Sequence, residues 1–201
     1  MEENKIAIVE RGLIIVDMIN GFIKEGALAD PTIKSIIGEN VRLAKEFIMN
    51  EDPIIVFRDV HTPTSTEFES FPSHCLLGSD EIELIDELKE LNDNLKIIDK
   101  NSTSGIFAPG FMDYINSMSQ LSEVVITGCC TDICVLNLAI PLKNFFNQVN
   151  KSVEVIVPEN AVATYHSNDV HDRNQYTEIA FQLMEQSGIK LVKRYGGKNG
   201  K

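Results

Sequence analysis

Six short apolar runs constrain this chain most: "GLIIVDMI" (Gly12–Ile19), "PIIVFRD" (Pro53–Asp59), "LKIIDK" (Leu95–Lys100), "EVVITG" (Glu123–Gly128), "SVEVIVP" (Ser152–Pro158) and "GIKLVK" (Gly188–Lys193). Short runs rich in Ile and Val read as strands buried on both faces. Helical patterns lie between them, over roughly Thr32–Asn50, Asp80–Leu91, Thr131–Phe146 and Asn168–Gln186. In the last, Val170, Ile179, Leu183 and Met184 fall at roughly helical spacing. Strands alternating with helices predict an α/β fold: a doubly wound, six-stranded, mostly parallel sheet with helices on both faces. The 201 residues suit one domain over 1–201, without repeat or linker. Only the tail "YGGKNGK", from about residue 195, is expected to fray, being Gly-rich with nothing to bury.

Charge and apolar content narrow the classes of function. A net charge of −12 lacks the basic footprint of a nucleic-acid binder. No apolar run approaches the roughly 20 residues that span a bilayer, and "MEENKIAIVERG" does not read as a signal peptide. Four cysteines are too sparse for a disulfide scaffold, so a reducing cytoplasm is expected.

An open α/β sheet binds ligands outside the carboxyl ends of its strands. Asp17 stands where the first run ends, Asp59 and His61 just past the second, Lys100 at the end of the third, and Gly128 at the end of the fourth. These residues should share one edge. Solvated loops also make strand ends polar, but Asp, Lys and Cys together point to chemistry.

Three of the four cysteines fall in "VVITGCCTDICVLNLAI". Cys134 is expected in the first turn of a helix, where the dipole lowers a thiol pKa. A carboxylate could take its proton, and an ammonium could steady the anion. Free N–H groups of the same turn could hold an oxyanion. A disulfide between the neighbours Cys129 and Cys130 would be strained, so they read as small side chains in a tight turn.

The stretch "RDVHTPTSTEFESFPSHCLLGSD" holds Asp59, His61, Glu67 and His74. Two His and two carboxylates suit zinc, iron or manganese, although acidic, His-containing loops are common without a metal. Cys75 reads as packing. His166 and His171 read as a solvated helix start, in a segment whose Asn and Asp suit capping.

"LIIVDMINGF", "DVH…FPSHC", "DK" and "TGCCTDICV" occur in the order seen in the nicotinamidases. From about Leu13 to Val192, the chain resembles this group of the isochorismatase-like cysteine hydrolases. The resemblance implies a catalytic triad of Asp17, Lys100 and Cys134. It implies metal ligands at Asp59, His61 and His74, with Glu67 where some members add one. It implies a cis peptide between Cys129 and Cys130, with the N–H groups of Cys130 and Cys134 facing the oxyanion. Phe22 and Phe71 match positions that hold a pyridine ring. The implied activity is deamidation of nicotinamide to nicotinic acid and ammonia through a Cys134 thioester, serving NAD salvage. One divalent metal, first of all zinc, would bind the ring nitrogen. Self-association is expected as well. The chain departs from the group at Val60, where Trp is common, at Thr103, where an aromatic is common, and at Pro141, which should kink its helix. An amidohydrolase for a carbamoyl or ureido compound, or a catalytically silent binding member, is the competing reading.

Overall fold

The structure is a computed structural model, which describes residues 9–196 other than 169. The elements run β1 (Arg11–Val16), α1 (Asn20–Ile23), α2 (Ile37–Met49), β2 (Ile54–Asp59), α3 (Asp86–Lys89), β3 (Lys96–Lys100), α4 (Phe111–Ser117), β4 (Glu123–Cys129), α5 (Leu136–Gln148), β5 (Glu154–Pro158), β6 (Val162–Ala163), α6 (Arg173–Gln186) and β7 (Lys190–Val192). A 3-10 turn, Pro31–Ile36, leads into α2, and a π turn, Thr131–Val135, leads into α5.

The sheet is parallel throughout, in the order β3-β2-β1-β4-β5-β7, with β6 beside the end of β4. Every residue of β1 is buried. Side chains alternate between faces along a strand. Leu13 and Ile15 accordingly join the core under α2, with Leu43, Ala44 and Phe47. Ile14 and Val16 join the opposite core, with Phe111, Leu138, Phe146 and Met184 from α4, α5 and α6. Two packed faces explain why the strands read as continuous apolar runs.

Strand order reverses between β1 and β4, so a crevice opens at their carboxyl ends. Val16 pairs with Gly128 there. Gly128 has φ 106, and a Cβ on it would lie 2.0 Å from the Val16 carbonyl oxygen. Only glycine allows this approach.

All six expected strands form, and the structure adds β6. Three short elements, α1, α4 and β6, were not legible in the sequence. The expected helix over Asp80–Leu91 forms only as a 3-10 turn, Asp80–Ile82, and the single turn α3. Between them the chain is extended. Asn20 N donates to Glu83 O, and Ile85 N to Met18 O. These bonds to a neighbouring segment compete with helical ones and win.

Helix α6 starts at Arg173, with the Asp172 side chain accepting from Gln175 N. Met184 is buried, but Val170, Ile179 and Leu183 are exposed, so their spacing does not mark a core face. Pro141 lies inside α5. Proline has no N–H to offer the carbonyl four residues back, and Ser104 Oγ donates to that carbonyl, Asn137 O, instead. The expected fraying does not begin at Tyr195, which is 6% exposed and packs on Phe47. Residues 197–201 lie outside the described residues.

Candidate active site

Four strand ends assemble the charged centre. Asp17 follows β1 with φ 52, Asp59 ends β2, Lys100 ends β3, and Cys134 sits in the π turn after β4. The register aligns Asp59 with Lys100. Lys100 Nζ lies 2.9 Å from Asp17 Oδ2, 2.8 Å from Asp59 Oδ1 and 3.7 Å from Cys134 Sγ. Asp17, Asp59 and Lys100 are at most 2% exposed.

Burial at this density rearranges proton affinities. Burial raises the Asp17 carboxyl, Lys100 lowers it, Asp59 raises it again, and the result is about 6. Burial also pushes Asp59 up, but Lys100 and the two imidazoles outweigh it and hold the carboxyl well below its ordinary range. Burial works against the Lys100 ammonium, yet Asp17, Cys134 and Asp59 hold its pKa above the ordinary value.

Cys134 departs from expectation. Its thiol lies in a π turn, and burial raises its pKa well above the ordinary value; Lys100 opposes this, while Asp17 and Asp59 reinforce it. The resting sulfur therefore keeps its proton, and a base must remove it. Asp17, whose Oδ1 is buried without a hydrogen-bond partner, is the base at hand.

All four cysteines are free. The Cys129–Cys130 peptide is cis. Cys129 Sγ donates to Asp17 O at 3.1 Å, tying the turn to the end of β1. Cys75 is fully buried, and a Cβ on Gly21 would meet its sulfur at 2.7 Å, so it is packing.

The second cluster adjoins the first through Asp59. Ligand atoms of Asp59, His61, Glu67 and His74 all lie within 4.8 Å of one another. Asp59 Oδ2 is 3.0 Å from the Nε2 of both His61 and His74, and Glu67 Oε1 is 3.9 Å from His61 Nε2. His74 Nδ1 lies 2.7 Å from Pro72 O, and His61 Nδ1 2.7 Å from Asn101 Oδ1. The Pro72 carbonyl can only accept, so His74 carries its hydrogen on Nδ1. His74 Nε2 is thereby aimed at the Asp59 carboxylate, where it and His61 Nε2 converge on one oxygen. His61 Nε2 is buried with no hydrogen-bond partner. Converging lone pairs on buried nitrogens and carboxylates fit a divalent cation, with the other ring nitrogens fixed by outer partners.

A cavity of about 710 Å³ opens onto both clusters. Cys134, Cys130, Asp59, Glu67 and His74 line it, as do Phe22 and Phe71. The rings of Phe22 and Phe71 stand 5.9 and 6.3 Å from that of His74.

All ten residues singled out from the sequence thus meet at one site. Others were missed: Asn101 and Ser65, which hold His61, Phe68, which packs on His61 and His74, and Tyr165, which lines the cavity. The Asn directly after Lys100 was the one signal available. His171 also differs from expectation. It is buried, stacked on Tyr165 and bonded to Asp132, whereas His166 is exposed as expected.

The chain is similar to known proteins. Residues 11–192 match the isochorismatase domain family. The chain is 31% identical to nicotinamidase 1 of Arabidopsis thaliana, covering 92% of this chain and 83% of the relative. Among solved structures, pyrazinamidase of Pyrococcus horikoshii in complex with zinc superposes with a TM-score of 0.74 at 25% identity, covering 91% of this chain and 98% of that one. N-carbamoylsarcosine amidase of Thermoplasma acidophilum also reaches a TM-score of 0.74 at 25% identity, covering 96% of this chain and all of that one, 100%. The chain belongs to the isochorismatase family.

Proposed function

We propose that this chain is a metal-containing amidohydrolase that converts nicotinamide to nicotinic acid and ammonia, with Cys134 as nucleophile. The observation that carries the reading is the shared Asp59. One carboxylate faces Lys100 of the thiol centre and both imidazoles of the metal-type cluster. A thiol for an amide carbon and donors for a cation therefore open into one cavity.

Asp17 takes the Cys134 proton, becoming neutral, while Lys100 steadies the new thiolate. The thiolate bonds to the carboxamide carbon, and the N–H groups of Cys130 and Cys134 receive the oxyanion. Each such donor contributes roughly 3–4 kcal/mol. Asp17 returns the proton to nitrogen as the C–N bond breaks, releasing ammonia. Water, deprotonated by Asp17, then cleaves the thioester and restores the thiol. Phe22 and Phe71 pack the ring; holding the amide against sulfur supplies several kcal/mol more. Asp59, His61, Glu67 and His74 would hold one divalent ion, zinc first and iron or manganese next, which when bound supplies a Lewis acid that orients the ring through its nitrogen. In the cell this activity would serve NAD salvage.

The likeness to N-carbamoylsarcosine amidase supports a second reading, hydrolysis of a carbamoyl compound on the same thiol. The His and carboxylate donor set favours the first. Ammonia release from nicotinamide by purified protein, before and after a strong chelator, separates them. Release that falls on chelation and returns with zinc is expected. No release with metal present overturns the nicotinamide reading and leaves carbamoyl and ureido compounds to be assayed.

A further inference from the structure

His171 lies in the segment just before α6 and is 4% exposed. Its ring is sandwiched between Tyr165 and Tyr176, with centroids 3.9 Å from each and interplanar angles of 11° and 24°. Nδ1 lies 3.0 Å from the Tyr165 carbonyl oxygen, and Nε2 lies 2.8 Å from Asp132 Oδ2. The ring is thus held at one nitrogen by a backbone carbonyl, at the other by a carboxylate, and on each face by a tyrosine.

One end of this bracket reaches the cavity and the other the turn that carries Cys134. Tyr165 lines the cavity together with Cys134 and Phe22. Asp132 belongs to the π turn Thr131–Val135 and precedes Cys134 by two residues. The other carboxylate oxygen of Asp132 has no hydrogen-bond partner, so His171 is what orients this side chain.

We infer that His171 is a positioning residue: it holds Tyr165 as an aromatic wall of the substrate cavity and, through Asp132, holds the turn that presents Cys134. This rests on the amidase reading for its kinetics but not for its geometry. The ring has two separable tasks, one through its faces and one through Nε2.

The test compares wild type, His171→Ala, His171→Gln and Tyr165→Leu in kcat and KM for nicotinamide. It also follows the rate at which iodoacetamide alkylates Cys134, read by mass spectrometry. Losing both tasks in His171→Ala should lower kcat about tenfold or more, the usual weight of a hydrogen bond to a charged group. KM should rise by roughly 2- to 10-fold through the lost stacking. Gln keeps a donor for Asp132 but no ring, so kcat and alkylation should return toward wild type while KM stays raised. Tyr165→Leu should raise KM more than it lowers kcat.

Wild-type kcat, KM and alkylation in folded His171→Ala overturn the inference. Equal losses in the Ala and Gln variants also overturn it, because a purely structural ring would not divide its effects. Should His171→Ala fail to fold, Asp132→Asn and Tyr165→Leu carry the test: the first should act mainly on kcat, the second mainly on KM, and indistinguishable profiles overturn it. If wild type releases no ammonia from nicotinamide, the amidase reading fails, and the alkylation rates alone decide the role of His171.

Discussion

Strand β1 carries a buried charge cluster at each end, and the two differ in one respect. At its start, Arg11 pairs through Nε with Asp52, lies 3.6 Å from Glu46 Oε1, donates to Tyr195 Oη at 3.3 Å and stacks 4.5 Å over Phe47. Tyr195 in turn donates to Glu123. No buried side-chain atom of these residues lacks a partner among the described residues. At the other end, about 20 Å away at ~3.3 Å per residue, Asp17 Oδ1 and His61 Nε2 are buried with none. Buried polar groups left unpaired are costly. The lower cluster spends its groups on holding the fold, whereas the upper one keeps atoms free to meet a proton, a cation or a substrate. Removing groups from the upper end should therefore remove activity, and removing them from the lower end should remove stability.

Cys134→Ala should cut turnover by on the order of 10⁴-fold or more, since triad members act as a unit, with circular dichroism and metal content unchanged. A mutant retaining more than a tenth of wild-type kcat would remove Cys134 from the nucleophile's place. The converse change is Arg11→Ala. It leaves Asp52 without its counter-charge, while Glu46 keeps Arg42, and losing hydrogen bonds between charged, part-buried groups costs about 1.5–3 kcal/mol. Denaturant unfolding should show the loss, while kcat of the folded fraction stays at the wild-type value. A drop in kcat without a drop in stability would erase the division between the two ends.

Outer partners of the proposed metal cluster should have intermediate effects. Asn101 touches His61 Nδ1 and none of the proposed reacting groups. Asn101→Ala should weaken zinc affinity by about 10–100-fold, the usual effect of losing an outer partner. Competition with a calibrated chelator measures it, and unchanged affinity would mean that Ser65 orients the ring alone.

What could be read from the sequence follows the same geography. Asp17, Asp59, Lys100 and Cys134 were legible because a parallel sheet gathers the carboxyl ends of its strands, and apolar runs show where those ends fall. His61, Glu67 and His74 were legible as a donor set, but the resemblance, not their spacing, raised them above an ordinary acidic loop. The lower cluster was not read at all. Arg11, Asp52, Glu123 and Tyr195 are far apart in the chain, and nothing local marks them. His171 was misread for the same reason: its burial comes from Tyr165, Tyr176 and Asp132, and the local Asn and Asp show only the cap at Asp172. Cys134 stands at the expected strand end, but in a π turn rather than a helix's first turn, and burial raises its pKa where a helix dipole would lower it.

The upper cluster also predicts a pH response that the lower one lacks. Asp17 must be ionised to act as base, and its pKa is raised to about 6. The free enzyme should lose kcat/KM as pH falls through that value, by about tenfold per unit below it. Asp59 is held well below its ordinary range and stays ionised across this window. Steady-state rates from pH 5 to 8 measure the limb. A limb centred below pH 5 would mean that a carboxyl with ordinary affinity serves as the base.

The smallest change tests whether satisfaction, rather than charge, defines the lower end. Tyr195→Phe keeps the ring on Phe47 and removes only the hydroxyl that accepts from Arg11 and donates to Glu123. Arg11 retains Asp52 and Glu46. A hydrogen bond of this kind contributes about 1 kcal/mol net, and rather more beside a charge, so the variant should unfold at slightly lower denaturant with kcat and KM unaltered. If it instead loses as much stability as Arg11→Ala, the hydroxyl is the centre of the cluster and Arg11 is one of its partners. If stability does not move, the Arg11–Asp52 pair holds the start of β1 without it.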